Sequence, residues 1–127
     1  MKPIIAIDVA RKELSSWAEY LETEIAPEEI TNILPAMIRG RITFDEAETK
    51  FSIKLKSPIE LENGETLSVI TLVEPIATEL QKTGGIKNEM EQVIKLLSIV
   101  SGQPLGVLGR LKQRDLITLA GVLSFFV

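Results

Sequence analysis

Along the chain, apolar residues first recur at steps of three and four. Val9, Leu14, Trp17, Tyr20, Leu21 and Ile25 predict a helix over residues 9–25, with Trp17 read as core more readily than as part of a docking surface with Tyr20. Ala26-Pro27-Glu28-Glu29 opens a second helix, with Pro at the first helical position and acids in the first turn. Its apolar face is Ile30, Ile33, Leu34, Met37 and Ile38, and Pro35 is expected to kink it or restart it near Leu34. Arg39-Gly40-Arg41 closes the segment.

The period then changes to two. Phe51, Ile53 and Leu55 alternate with Ser52, Lys54 and Lys56, as a half-buried strand does. Ile42-Thr43-Phe44 precedes them across the polar run 45–50. Ile59 and Leu61 alternate with Glu60 and Glu62 ahead of Asn63-Gly64, a pair expected to form a tight primed turn with φ > 0 at both residues. Leu67 to Val73 returns as a strand and ends at Glu74-Pro75.

Helical spacing follows. Residues 76–82 predict a short helix stopped by Thr83-Gly84-Gly85. From Ile86, the positions Met90, Val93, Ile94, Leu97 and Val100 form a stripe that ends at Ser101-Gly102-Gln103-Pro104. Leu105, Leu108 and Leu111 make a short apolar turn, and a last helix carries Leu116, Leu119, Ala120, Leu123 and Phe126. The expected fold is α+β: a small antiparallel β-meander of three or four strands packed against N- and C-terminal α-helices. Residues 1–41, 42–74 and 75–127 are read as the helical, β and helical parts of a single domain.

Composition narrows the chemistry. The 127 residues carry a net charge of −4, which argues against a nucleic-acid partner. There is no Cys and no His, so thiolate chemistry, imidazole bases and the commonest metal ligands are missing. The expectation is a non-enzyme without cofactor or metal. No apolar run approaches the roughly 20 residues that span a bilayer, and no signal peptide is visible, so the chain reads as cytoplasmic with no membrane partner.

Other candidate sites are weaker than their plain explanations. Arg39 and Arg41 read as a cationic helix end more readily than as a phosphate site. The acids at 45–48 lack the spacing of a calcium loop, and Gly84-Gly85 with Lys87 lacks that of a phosphate loop. The carboxylate pairs Glu28/Glu29 and Glu60/Glu62, which a hydrolase would need, fall where solvated faces put acids anyway. The last helix is different: from Leu116 onward it carries no charge. Such a helix is buried or meets a partner. One face is assigned to the core and the other, with Ile117, Val122 and Phe125, to a partner; Leu123 and Phe126 complete the candidate binding set.

The order of these parts resembles a known family. Pro58, Ile59, Leu61, Gly64, Leu72, Glu74 and Pro75 lie in the strand pair. Leu97, Gly102, Leu108, Leu111, Asp115, Leu116, Leu119, Phe125 and Phe126 follow in order. Together they look like the tail assembly chaperones of contractile-tailed bacteriophages, the P2 E-like and Mu-like group. The resemblance covers residues 51–127; residues 1–41 are longer than the short leaders of the family, and read as an added helical layer or a second binding surface.

The resemblance implies a non-catalytic protein of the bacterial host cytoplasm, absent from the mature virion. Its partner would be the long, largely helical tape measure protein, kept soluble while tail tube protein, a second partner, polymerises around it. Self-association is left open. The competing reading is a small structural component of the tail or virion.

Overall fold

The computed structural model describes residues 6–81 and 88–126. Helix α1 (Ile7–Tyr20) presents Ala10, Leu14 and Trp17 to the core. It ends five residues earlier than the apolar spacing suggests. Glu22 adopts φ 55°, and a pair of bonds closes the turn: Thr23 N–H to the Ala18 carbonyl (2.9 Å) and Glu22 N–H to that of Glu19 (3.1 Å). This is a Schellman stop with Glu in the left-handed position usually given to Gly.

Helix α2 (Pro27–Ile38) ends in the same motif with Gly40, φ 70°, in that position. Arg41 N–H donates to the Ala36 carbonyl and Gly40 N–H to that of Met37, each at 2.9 Å. The helix runs through Pro35 without restarting. Thr31, whose carbonyl loses its helical donor to the proline ring, is exposed.

The strands are β1 (Ile42–Asp45), β2 (Lys50–Glu60) and β3 (Thr66–Val73), antiparallel in the order β1-β2-β3. The two short strands expected on either side of Ser57-Pro58 are one strand of 11 residues, its pairing with β3 interrupted between Lys54 and Ile59. Pro58, which has no N–H to offer, falls within that irregularity. The β2–β3 turn sits at Asn63-Gly64, but only Gly64 has positive φ (86°). Leu61 N–H donates to the Glu65 carbonyl (2.8 Å) and Gly64 N–H to that of Leu61 (3.0 Å). This is the three-residue loop with a left-handed Gly, and not the primed two-residue turn. The Asn63 side-chain oxygen accepts Glu65 N–H at 2.9 Å, so Asn63 supports the turn without entering the left-handed region.

The short helix α3 (Ala77–Leu80) is capped by Glu79, whose carboxylate accepts Ile76 N–H at 3.1 Å. The stop at Thr83-Gly84-Gly85 and the helix start at Ile86 lie outside the described residues. Helix α4 (Glu89–Ser101) starts from Asn88, whose side chain accepts Glu91 N–H at 3.1 Å. After α5 (Leu105–Leu108) comes α6 (Gln113–Leu123), extended through Phe126 by tighter bonds to the third residue back.

One face of the sheet, with Phe51, Ile53, Leu55, Ile59, Ile70 and Leu72, is buried together with residues from α1, α2, α4, α5 and α6. All six aromatic residues of the chain gather in one cluster around Phe51. The Phe51 ring lies 5.5 Å from Trp17, 4.5 Å from Phe44, 4.8 Å from Phe125 and 5.5 Å from Phe126. Tyr20, half exposed, stacks edge-on against Phe44 and donates its hydroxyl to the Glu46 carbonyl at 3.0 Å, tying the end of α1 to the β1–β2 turn.

Candidate functional site

β1 is short, so it pairs with β2 only as far as Ile53. Just beyond, Lys54 N–H donates to the Arg41 carbonyl (2.8 Å). Past that point the backbone of β2 needs other acceptors. Asp115, in the first turn of α6, supplies them: its carboxylate accepts Lys56 N–H at 2.8 Å and Ser57 N–H at 2.9 Å. Asp115 is 3% exposed, and both bonds are partly buried. Thus α6 takes over where β1 stops.

The same geometry leaves a groove of about 860 Å³ between α2, β2 and α6. Thr31, Asn32 and Pro35 of α2 form one wall, with Arg39 and Arg41 from its C-terminal turn. Lys54, Leu55 and Lys56 of β2 line the second side, and Arg114, Ile117 and Thr118 of α6 the third. Leu55 and Thr118 are buried, and the Thr118 hydroxyl is satisfied by the Arg114 carbonyl at 3.0 Å.

The lining holds five cations and no carboxylate. In a chain of net charge −4, this concentrates positive charge in one place and leaves the remaining residues more acidic than the total suggests. The nearest acid in sequence, Asp115, is turned into the β2 backbone. Among the described residues the one ion pair is Lys50 with Glu48, so all five groove cations lack a carboxylate partner there. Arg41 Nε is buried and has no hydrogen-bond partner among the described residues. Like charges that line one concavity add their fields, over a range of roughly 8 Å at physiological salt.

The expected binding face of α6 is largely absent. Helix α6 packs against α2, α4 and β2. Val122 (0% exposed), Leu123 and Phe125 (3%) are therefore core residues and not an outer face. Phe126 is partly buried against Phe51. Of the candidate set, only Ile117, 39% exposed, is largely open to solvent, and it lies in the groove. The groove cations come from three separate stretches, Arg39/Arg41, Lys54/Lys56 and Arg114, so no single charge run marked them. Glu28, Glu60 and Glu62 are exposed and Glu29 half-buried, with neither pair assembled in a cleft with the groove residues.

Residues 52–127, more than half of the chain, match the family described as "Phage tail assembly chaperone proteins, E, or 41 or 14". The chain belongs to this family. No curated protein and no solved structure matches it. In this tail assembly chaperone the matched span runs from β2 through α6, and so includes the Asp115 bridge and three of the groove cations, Lys54, Lys56 and Arg114. Arg39 and Arg41 come from outside it, on the segment that α1 and α2 add to the sheet. Among the described residues, no helix of the chaperone is long and apolar enough to cross a membrane.

Proposed function

We propose that this tail assembly chaperone binds the tape measure protein of its phage, keeps it soluble and promotes tube assembly around it, without catalysing a reaction. Family membership over residues 52–127 is the observation that carries this reading. The groove supports it, because its lining offers a partner apolar anchor points, Ile117 and Pro35, among cations that have no carboxylate partner among the described residues. Burying a fully exposed anchor contributes about 1.5–3 kcal/mol, and a partly exposed one proportionally less, so a few anchors suit a complex that must later come apart. In this reading the tail tube protein is a second, later partner, the work is done in the host cytoplasm, and the chaperone leaves before the virion is complete. Ile117 and the partly buried Phe126 are the residues of the candidate set still placed to take part.

The test is co-expression of the chain with the tape measure protein, followed by separation of soluble and insoluble fractions and affinity purification. The expected result is a tape measure protein that is soluble and co-purifies only in the company of this chain. Equal insolubility with and without it overturns the reading.

A further inference from the structure

The partner surface that fits the α2–β2–α6 groove has a definite chemistry. Five cations, Arg39, Arg41, Lys54, Lys56 and Arg114, converge on one concavity without a carboxylate among them. Like charges held together without counter-charge repel one another, and a complementary ligand relieves that repulsion on binding. Three of the five are arginines, whose planar guanidinium groups take carboxylates through paired N–H bonds. The remaining two, Lys54 and Lys56, add point charges on the strand side. The groove is not uniformly polar, because Pro35, Leu55 and Ile117 line it between the cations.

We propose that the groove binds an acidic segment of the partner protein, with Glu or Asp carboxylates on the groove cations and an apolar side chain against Ile117 and Leu55. This rests on the reading of the chain as a chaperone for the tape measure protein, and it names the kind of segment that protein must present. A nucleic acid fits less well. Its phosphates extend beyond any single concavity, and the remainder of this chain is acidic and repels them. A peptide of limited length meets only the groove.

The experiment uses the full chain as wild type and as the triple variant Arg39→Glu, Lys54→Glu, Arg114→Glu. All three positions are exposed, and far-ultraviolet circular dichroism with a thermal melt checks that the variant is folded. Binding is measured by fluorescence anisotropy with a labelled Glu/Leu-rich peptide, the same peptide with Lys in place of Glu, and a single-stranded oligothymidylate. Retention of the co-expressed tape measure protein is measured in parallel. The wild type is expected to prefer the Glu/Leu peptide, to bind it more weakly as salt rises, and to lose about tenfold or more in affinity in the triple variant. The variant is also expected to release the tape measure protein.

A folded triple variant that retains the tape measure protein as well as the wild type does overturns the groove assignment and leaves the chaperone reading standing. Preference for the oligothymidylate overturns it in favour of nucleic acid. Self-association of the wild type that the triple variant abolishes, without any Glu/Leu peptide binding, overturns it in favour of a second copy of this chain. A wild type that never retains the tape measure protein removes the chaperone reading itself, and the proposed partner with it.

Discussion

The Asp115 carboxylate and the Lys56 backbone N–H, 59 residues apart, meet at 2.8 Å, and the second carboxylate oxygen takes Ser57 N–H at 2.9 Å. The bond does what a longer β1 would have done: it satisfies the β2 edge and fixes the start of α6 against the sheet. Charged acceptors make such bonds stronger than neutral ones. Asp115→Ala orphans two partly buried N–H groups, and the expected loss is about 1–3 kcal/mol for each. Asp115→Asn keeps one acceptor oxygen and should lose less. Urea unfolding of the three proteins checks the order; an Ala variant as stable as wild type would show that water replaces the carboxylate.

Gly121 lies where α6 crosses α2. A Cβ built there would sit 2.8 Å from Ile33 Cγ1, an approach that real side chains do not make. Ile33 is fully buried and cannot move aside. Gly121→Ala is therefore expected to destabilise by about 1–3 kcal/mol despite the better helix propensity of Ala. The cost should shrink in an Ile33→Ala background, where the clashing atom is gone. A double-mutant cycle by chemical denaturation reads this coupling directly.

Phe125 is held between Phe51 and Trp17, with ring centroids 4.8 and 6.3 Å away. Phe125→Ala should cost about 3–5 kcal/mol, as large-to-small changes of buried aromatics do. Phe125→Asp places a charge in the aromatic core and is expected to abolish the cooperative thermal transition. Loss of partner binding in that variant would then report unfolding and not a damaged interface. A folded Phe125→Asp protein would return Phe125 to the candidate surface.

Much of the fold was legible because local rules and tertiary packing agree. The alternation Phe51, Ile53, Leu55 points into the core, and the stripes of α2 and α4 bury Ile33, Leu34, Met37, Leu97 and Val100 as their spacing predicts. Misreadings fall where one local feature admits two answers. Asn63-Gly64 marks a turn of either geometry, and the absence of charge in α6 marks a buried helix as well as a sticky one. Only the three neighbours of α6 decide the second case. The groove was illegible for a different reason. Arg39, Arg41, Lys54, Lys56 and Arg114 are never adjacent in sequence, and no periodicity brings a helix end, a strand edge and a helix start together. Likewise Asp115 reads as an acid favouring its own helix dipole, and nothing nearby announces the N–H groups it serves.

The stop of α1 was missed because Glu22 occupies the left-handed position that Gly40 fills at the end of α2. That conformation costs a non-Gly residue about 1–2 kcal/mol, partly offset by the greater unfolded freedom of Gly. Glu22→Gly should therefore raise stability by about 0.5–1 kcal/mol, and Gly40→Ala should lower it by about 1 kcal/mol or more. Parallel thermal melts test both. A destabilised Glu22→Gly protein would mean that the Glu22 side chain contributes something its backbone geometry conceals.

Ile117 separates binding from folding. It is 39% exposed, lies among the groove cations and makes no part of the buried cluster. Ile117→Asp should change stability by no more than about 0.5 kcal/mol, the usual range for an exposed position. Its effect on the complex should be larger. The substitution removes an apolar anchor whose still exposed 39% contributes about 1 kcal/mol on burial, and puts a carboxylate where acidic groups of the partner are proposed to sit. Retention of co-expressed tape measure protein is therefore expected to fall at least about tenfold, against an unchanged melting curve. Ile117→Lys removes the same anchor but keeps the charge of the groove, so it should retain more. If Asp and Lys weaken the complex equally, the contact at Ile117 is apolar alone; if neither does, the partner lies elsewhere on the surface.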